Sequence, residues 1–530
     1  MNVSSLLAEQ AANRPDAPAL IFRSRPVTYA QLDDAAGRAC AAFVASGVQP
    51  GDRVALMVGN VPEFVSALYG IWRAGAVAVP LNVMLTSEEV GYMLADAGVR
   101  AVVTQMGELP TILAVRDRLS ELDTVFVVAG PPVPPRTVSY EHAMGRHQPI
   151  REATDSPDGL ALIQYTSGTT ADPRGAMLGH DNLFANMDQM EQVPSMKILS
   201  DDVVLLVLPL FHIYALNVIL GMSVRGGGTA VLVERFEPGE ALGLIERHGV
   251  TLLPGAPPMY VAWLDEPEDR RSSFASVRMA VSGAAPLAPE VLQRFRQRFG
   301  VTIWDSYGLT EAGPAVTSNA AGPEARPGSI GLPIPGLEVR LVEEGEGGLA
   351  DVEEGDPGEI LVRGPNVFRG YWRKEDATAA TLADGWLRTG DVAYRDEDGY
   401  LFLVDRTKDL IIVSGFNVFP KEVEEALARL PGVSEAAVIG IPDPRTGEAV
   451  KAMVVLDEGA TATPESLADG VSRFLARFKI PRVIEIVSEI PRHPTGKILR
   501  RALRGEDVLG GTGDGGPSTG PRPPGTGARP

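Results

Sequence analysis

The sequence has little of three things: cysteine, long apolar runs and positive charge. Cys40 is its single cysteine, so an intramolecular disulfide is excluded and a reducing compartment is compatible with the chain. The Ala-rich surroundings of Cys40 favour a small buried side chain over a nucleophile. No apolar run approaches the length of a membrane span, since the stretch at residues 203–210 is only long enough for a strand.

Acidic residues outnumber basic ones, with 68 Asp and Glu against 48 Lys and Arg and a formal net charge of −20. This surplus argues against a nucleic-acid-binding surface and a broad footprint on anionic membranes, although a local basic pocket for a nucleotide stays compatible. The N-terminus lacks the basic and apolar regions of a signal peptide, and the last three residues are not a peroxisomal address. We therefore expect a cytoplasmic protein with no nucleic-acid partner and no membrane span.

What is present is the composition of a globular enzyme, with 45% hydrophobic and 22% charged residues. A chain of 530 residues is too long for one ordinary core, so at least two domains are expected. Strand-like and helix-like segments alternate through the first 300 or so residues, which predicts mostly parallel sheets covered by helices. The predicted helices include residues 63–73, 87–97, 239–248, 289–299, 420–430 and 464–478.

The pattern changes twice along the chain. Short strands separated by Gly/Asp/Glu-rich loops begin near Leu337 and predict an all-β annex, and a smaller α+β pattern follows Asp405. The fold class is therefore α/β, with a large multi-subdomain N-terminal body at residues 1–405 and a small mobile α+β domain at residues 406–505. Residues 506–530 are rich in Gly and Pro and are expected to be a disordered tail.

The most informative segment is QYTSGTTADPRG at residues 164–175, which follows the apolar run 160–163. A strand followed by a small polar loop can present backbone N–H groups and hydroxyls to a polyanion. Arg174 adds a permanent cation that can pair with two phosphate oxygens. Composition alone would also fit an ordinary surface loop.

In its order this segment resembles the phosphate-binding signature of the adenylate-forming enzymes, the acyl-CoA synthetase and luciferase superfamily. The family pattern is T-S-G-T-T-G-x-P-K-G, so the chain departs from it at Ala171, where glycine is usual, and at Arg174, where lysine is usual. Alanine resists the positive φ angles that glycine accepts, whereas arginine keeps the charge. The resemblance implies that the ATP phosphates contact Thr166, Ser167, Gly168, Thr169, Thr170 and Arg174.

Three further strings match the family in the expected order: PLFHIYA at 209–215, SGAAPL at 282–287 and WDSYGLTE at 304–311. Taken alone, each could be a packed or turn segment. The resemblance implies that His212 is an aromatic gate with a catalytic role, that Tyr214 and Gly308 line the acyl pocket, and that Ala284 lies beside adenine and the acyl group. It also places Asp305, Ser306, Tyr307 and Thr310 at the nucleotide, with Thr310 and Glu311 catalytic and Glu311 a ligand for Mg²⁺.

Four more strings complete the match: TGDVAY at 389–394, DRTKD at 405–409, GFNVFP at 415–420 and PTGKILR at 494–500. Each would be a turn or a charged surface segment if it stood alone. Related aryl-CoA ligases often have lysines where Ile412 and Ser414 stand here, which puts a charge-based grip on substrate or coenzyme A in doubt. The resemblance implies that Asp391 and Arg406 bind ribose, Lys408 is the hinge, Gly415 and Phe416 approach coenzyme A, and Lys497 is the catalytic lysine that also binds ATP.

The implied reaction is an ATP-dependent ligation in two steps. A medium- or long-chain fatty acid attacks the α-phosphate to give acyl-AMP and pyrophosphate, and the acyl group then passes to coenzyme A. ATP and coenzyme A are co-substrates and Mg²⁺ is the metal. An aryl acid such as a cinnamate is an alternative substrate, and a standalone acyl-AMP ligase that serves an acyl-carrier protein is an alternative enzyme. The resemblance leaves a homodimer open.

Two other function classes fit poorly. A Walker-type ATPase needs G-x-x-x-x-G-K-[ST], but Gly496-Lys497 is followed by isoleucine. A non-catalytic binding module would need a decayed site, whereas Thr169, Glu311, Asp391 and Lys497 are all present. No segment that could fold as a carrier domain follows residue 505, which disfavours a multimodular synthetase.

Overall fold

The large body of the molecule is built on two mostly parallel sheets, as the alternation of strands and helices predicts. A computed structural model describes residues 2–128, 133–166, 173–266, 271–284, 287–345, 348–353, 355–406, 411–418, 420–457, 459–491 and residue 503. The α/β fold class is confirmed, with a β annex beside the body and a separate small sheet in the C-terminal part.

One of the two sheets has nine strands, and its central six strands run parallel. The strands at both edges are antiparallel to their neighbours. Apolar residues on both faces of the central strands are buried, as expected for a parallel sheet that helices cover on both sides. In spatial order the strands are Leu332–Pro333, Ala315–Ser318, Ile303–Gly308, Met279–Ser282, Leu252–Gly255, Val203–Leu206, Thr229–Leu232, Pro18–Phe22 and Arg25–Thr28.

The other large sheet has seven strands and is parallel except at one edge. At that edge Arg174–Gly179 folds back as a hairpin on Leu160–Thr166. The predicted strand at residues 160–163 is therefore confirmed and extends to Thr166. In spatial order the strands are Val138–Ser139, Thr124–Val128, Val99–Gln105, Arg53–Met57, Val77–Pro80, Leu160–Thr166 and Arg174–Gly179.

The annex and the small domain each contain a separate sheet. The annex is antiparallel and contains Glu338–Gly345, Gly348–Asp351, Gly358–Arg363, Leu382–Ala383, Trp386–Arg395 and Leu401–Arg406. The small sheet contains Ile411–Val413, Phe416–Val418, Val433–Asp443, Gly447–Leu456 and Val483–Ile486. The predicted domain boundary falls between these sheets and stays a prediction, and Lys408 lies outside the described residues.

Local sequence explains where many helices start. Thr28 and Thr86 each form a capping box with the residue three positions later, and proline occupies the first turn of several other helices. Cys40 is buried in the second helix, and burial raises the pKa of its thiol to about 11. The α-helices are Ser4–Asn13, Tyr29–Ala45, Pro62–Arg73, Ser87–Ala97, Leu109–Arg116, Tyr140–Gly145, His180–Glu191, Met222–Gly226, Pro238–His248, Pro257–Asp265, Pro289–Phe299, Glu375–Thr381, Pro420–Ala428 and Pro464–Val471.

Two details of the fold were not predicted from the sequence. The helix predicted at residues 464–478 ends at Val471, because Gly470 and Ser472 weaken its last turn, and a short 3₁₀ turn at Arg477–Lys479 follows. Residues Tyr214–Gly221 form a π-helix, a form that is rare and often found at functional sites. None of the helices in the described part of the chain combines the length and apolarity needed to cross a bilayer.

Candidate active site

A cavity of about 330 Å³ lies where the two large sheets, the annex and the small domain meet. It is lined at the carboxyl ends of three strands, by Thr166, by Gly283 and Ala284, and by residues 305–308. Ligands of open α/β sheets bind outside the carboxyl ends of the strands, so this is the expected place for a site. The cavity brings together Thr166, Arg174, His212, Tyr214, Ala284, Asp305, Ser306, Tyr307, Gly308, Thr310, Glu311, Asp391 and Gly415 from the sequence prediction.

The edge hairpin delivers the two ends of the predicted phosphate loop. Thr166 and Arg174 are paired across the hairpin, and both line the cavity. The Thr166 hydroxyl is buried and has no hydrogen-bond partner among the described residues, so a ligand oxygen could satisfy it. Ser167, Gly168, Thr169, Thr170 and Ala171, which connect these two ends, lie outside the described residues.

Tyr371 connects Arg174 to Glu311. The Arg174 guanidinium carbon lies 5.5 Å from the centre of the Tyr371 ring, within the range of a cation–π contact. The Tyr371 hydroxyl donates a hydrogen bond of 2.7 Å to Oε1 of Glu311. Burial and the Glu311 carboxylate both raise the pKa of Tyr371, so its proton stays in place. Thr310 and Glu311 are therefore held at one end of the cavity, beside the hairpin.

A second tyrosine–carboxylate pair joins the nine-stranded sheet to the annex. The Tyr307 hydroxyl donates to Oδ2 of Asp391 over 2.8 Å. Asp391 lies on the strand Trp386–Arg395, and the backbone of Arg406 is directly opposite it on the neighbouring strand. The two predicted ribose ligands therefore start from paired backbone positions, next to Tyr307, which is predicted to lie at the nucleotide.

Asp305 and Ala284 also line the cavity. Burial raises the pKa of Asp305 to about 7, although the backbone N–H groups of Leu287 and Ser306 donate to the carboxylate and lower it in part. A partly protonated Asp305 repels a phosphate less than an ionised one would. Ala284 is exposed in the cavity and has φ of 68°, a left-handed conformation that is uncommon for a residue with a Cβ and clusters at functional sites.

His212 is neutral at ordinary pH, because burial lowers its pKa to about 4. Its Nδ1 accepts a hydrogen bond from the backbone N–H of Tyr214 at 3.3 Å, so the proton of the neutral ring is on Nε2. The Gln164 side chain donates to the carbonyl oxygen of Phe211 at 3.0 Å, which ties this segment to the strand that carries Thr166. The residue before the predicted gate is thus hydrogen-bonded to the hairpin.

A second, smaller cavity of about 40 Å³ continues from the first one into the body. The two share the walls formed by Met190, Met196, Tyr214, Val218 and Val281. The Tyr214 ring packs against Gly283, where a Cβ would lie 3.1 Å from a ring carbon. We call the second cavity the methionine compartment; its walls are Met190, Met196, Ile198, Val204, Tyr214, Val218, Ile219, Met222, Leu252, Leu253, Pro254, Met279 and Val281.

The small domain contributes a tight hairpin to the cavity. Ser414 and Gly415 have φ of 52° and 82°, as the favoured two-residue turns between antiparallel strands require. Gly415 lines the cavity, and no described atom lies within 4 Å of where its Cβ would be. Phe416 stacks on Phe211 with 6.2 Å between ring centres. In this arrangement the segment predicted to approach coenzyme A faces the site.

Several residues that line the cavity were not predicted from the sequence. Tyr371 is one, although its position next to Gly370 and Trp372 could have drawn attention to it. The ion pair of Arg388 with Glu359, at 2.6 Å, has no local sequence signal. The Glu359 carboxylate also accepts a hydrogen bond from the backbone N–H of Gly390, which precedes Asp391 on its strand. Lys497 lies outside the described residues, and only the backbone of Arg406 is described.

Comparisons with known proteins agree with this geometry. A family profile described as "AMP-binding enzyme" matches residues 7–372, and one described as "AMP-binding enzyme C-terminal domain" matches residues 422–497. The chain is 36% identical to a long-chain-fatty-acid–CoA ligase of Bacillus subtilis, over 96% of this chain and 94% of the relative. It is 37% identical to a feruloyl-CoA synthase of Amycolatopsis, over 93% and 97%. Its structure is similar to that of an amide bond synthetase of Marinactinospora thermotolerans, with a TM-score of 0.86, 30% identity and coverage of 95% and 99%.

We predict that Tyr307→Phe weakens the binding of AMP about tenfold. The substitution keeps the ring but removes the hydroxyl that orients Asp391, and a hydrogen bond to a charged group contributes about 1.5 kcal/mol or more. Titration calorimetry with AMP measures the effect. Tyr394→Phe is the matched control, because Tyr394 lies on the same strand as Asp391 but stacks on Phe402 away from the cavity. Equal affinities for Tyr307→Phe and the unmodified protein would contradict the assignment.

Proposed function

The chain belongs to the AMP-binding enzyme family, and from this premise we propose that it joins fatty acids to coenzyme A. It is an AMP-forming ligase of the acyl-CoA synthetase class. The observation that carries the choice of a fatty acid is the methionine compartment, because its walls offer apolar contacts and no charged group. Methionine side chains are flexible and can adapt to a chain that enters between them.

The first step is the attack of the carboxylate on the α-phosphate of ATP. The hairpin that carries Thr166 and Arg174 holds the phosphates that leave, and Tyr307 and Asp391 hold the nucleoside. Two anions must approach each other, and Lys497 supplies the ammonium that offsets their repulsion. These residues bind and orient the reactants, which is the main contribution that a protein makes to phosphoryl and nucleotidyl transfer.

Glu311 fits a role in holding Mg²⁺. Its carboxylate is kept at the cavity wall by the hydroxyl of Tyr371, and the hydroxyl-bearing Thr310 precedes it. Among the described residues no group of three or more His, Cys, Asp or Glu side chains is arranged to hold a metal. A single carboxylate suits Mg²⁺, which commonly takes one or two protein carboxylates and completes its shell with water and substrate phosphates. When bound, the ion would neutralise phosphate charge.

The second step replaces AMP by coenzyme A. The small domain turns about Lys408, which withdraws Lys497 and brings Gly415 to the cavity. The thiolate of coenzyme A then attacks the acyl carbonyl carbon, and the bond from that carbon to the phosphate oxygen of AMP breaks. The position of Gly415 in the cavity wall supports this second arrangement, since a glycine there leaves room for the pantetheine arm.

Two alternatives to this proposal differ from it in the acid that is activated or in the molecule that accepts the acyl group. An aryl acid is the other substrate class, and the flat contact of Tyr214 with Gly283 would suit an aromatic ring. The feruloyl-CoA synthase named above is a relative with an aryl substrate. A standalone acyl-AMP ligase that serves an acyl-carrier protein is the other acceptor class. A cytoplasmic location is part of the proposal.

We predict pyrophosphate, AMP and acyl-CoA as products when the protein is mixed with ATP, coenzyme A and a medium- or long-chain fatty acid. The walls of the methionine compartment give fatty acids a larger kcat/KM than cinnamates or benzoates. Pyrophosphate release and thioester formation are measured across a panel of both acid classes, with and without coenzyme A. Adenylate without thioester for every acid would exclude a CoA ligase, and a preference for aryl acids would transfer the proposal to that class.

Lys497→Ala separates the two half-reactions. We expect adenylation to fall by two orders of magnitude or more, because a preorganised charge at the transition state contributes roughly 10²–10³ in rate. Thioester formation from a supplied acyl-adenylate should stay within about twofold, because the lysine has left the site by then. Equal loss of both half-reactions would contradict the assignment of Lys497 to the first step alone.

The methionine compartment predicts a chain-length profile. Each methylene that enters an apolar site contributes about 0.8 kcal/mol, or about fourfold in kcat/KM, until the compartment is full. Val218→Phe fills the shared wall and should move the optimum to shorter acids while the KM for ATP stays unchanged. Met106→Phe is the control, because Met106 is exposed outside both cavities. A profile that is the same in Val218→Phe and the unmodified enzyme would show that the chain binds elsewhere.

A further inference from the structure

A buried lysine of the small domain bridges the two domains. Lys479 is 3% exposed, and its Nζ lies 2.7 Å from Oε1 of Glu89 and 2.6 Å from Oε1 of Glu422. Glu422 belongs to the small domain, on the helix Pro420–Ala428, whereas Glu89 belongs to the large body, on the helix Ser87–Ala97. A buried charge is normally found only where partners compensate its desolvation, so this arrangement requires the domains to be in contact.

Glu89 is held by its own helix as well as by Lys479. The backbone N–H of Thr86 donates to Oε2 of Glu89 at 2.8 Å in the capping box of the helix. The other carboxylate oxygen is the one that contacts Lys479. The Thr86 hydroxyl also lies 3.4 Å from the carbonyl oxygen of Phe474 in the small domain. The start of this helix therefore contacts the small domain at two points, Lys479 and Phe474.

The same interface contains the Gly415 hairpin. Phe478, next to Lys479, packs on Phe416 with 4.8 Å between ring centres, and Phe416 stacks on Phe211 of the large body. Phe416 follows Gly415, and Phe211 precedes His212, so the row of three rings ends at the cavity. The ion pair and the cavity are thus the two ends of one continuous contact between the domains.

We propose that Lys479 is a positioning residue for thioester formation, which it favours by holding the small domain, through Glu89, with Gly415 at the cavity. This inference rests on the proposed two-step function, in which the domain must take another orientation for adenylation. It assigns opposite half-reactions to two lysines of the same domain. Lys497 acts at the reacting atoms in the first step, and Lys479 acts from a distance in the second.

The contact between Lys479 and Glu89 can open without leaving a buried charge unpaired. Burial by itself would lower the pKa of Lys479, but Glu422 and Glu89 together raise it, so the ammonium is charged. When the domain turns away, Lys479 keeps Glu422 as a partner within its own domain, and the pair is neutral. Glu89 returns to solvent with its cap intact. The penalty that makes the loss of one buried partner so severe is therefore avoided on both sides.

Glu89→Gln is the decisive variant, because glutamine also forms a capping box and the Lys479–Glu422 pair stays complete. We expect thioester formation from a supplied acyl-adenylate to slow by about tenfold or more, while pyrophosphate release in the absence of coenzyme A stays within about twofold. Lys479→Met should give the same selective loss. Glu88→Gln is the matched control, because Glu88 is the preceding residue on the helix and forms an exposed pair with Arg118 within the large body.

Single-turnover measurements of both half-reactions test the proposal. A selective loss in Glu89→Gln that is absent from Glu88→Gln supports it. An equal loss of both half-reactions, a loss of adenylation alone, or no change in Glu89→Gln overturns it. If Lys479→Met does not fold, Glu89→Gln still decides. If the unmodified protein makes acyl-adenylate but no thioester with any acid, the proposed function fails instead, and that result is known before any variant is compared.

Discussion

A cavity that takes a polyanion must hold its own charges in place before the ligand arrives, and this constraint explains much of the architecture. Of the four carboxylates that line the cavity, three are bound to a side chain distant in the sequence: Asp391 to Tyr307, Glu311 to Tyr371 and Glu359 to Arg388. Groups that are already in place need no reorganisation during the reaction. Most of the rate gained by positioning comes from this saving. The nine-stranded sheet and the annex have to meet at the cavity for the pair of Tyr307 and Asp391 to form.

The other end of the site, the methionine compartment, is apolar and adaptable instead of charged and fixed. Its walls are apolar, and the methionines among them can change rotamer at little cost. Tyr214 lies at the boundary, with its ring against Gly283 and its buried hydroxyl without a partner among the described residues. Rigid polar groups at one end and adaptable apolar ones at the other suit a substrate whose head group is constant and whose tail varies.

The sequence predicted the parts of this structure that depend on local pattern. The alternation of apolar strands and amphipathic helices predicted the two mostly parallel sheets, and most of the predicted site residues that the structure describes line one cavity. Contacts between distant segments were not predictable. Tyr371 and Glu311 are 60 residues apart and Tyr307 and Asp391 are 84, and nothing local in either pair indicates its partner. The π-helix at Tyr214–Gly221 was not predictable either, because an apolar run alone does not distinguish a π-helix from an α-helix.

Lys479 shows why single residues are hard to interpret from sequence. It stands in a basic stretch with Arg477 and Arg482, where an exposed lysine is the ordinary expectation, and the predicted long helix would have placed it just past a solvated end. The helix ends at Val471 instead, and the following turn directs the lysine into the interface. A residue that must be bound in one domain orientation and tolerated in another needs a partner that travels with it. In the proposed mechanism Glu422 is that partner, because it lies in the same domain as Lys479 and pairs with it at 2.6 Å.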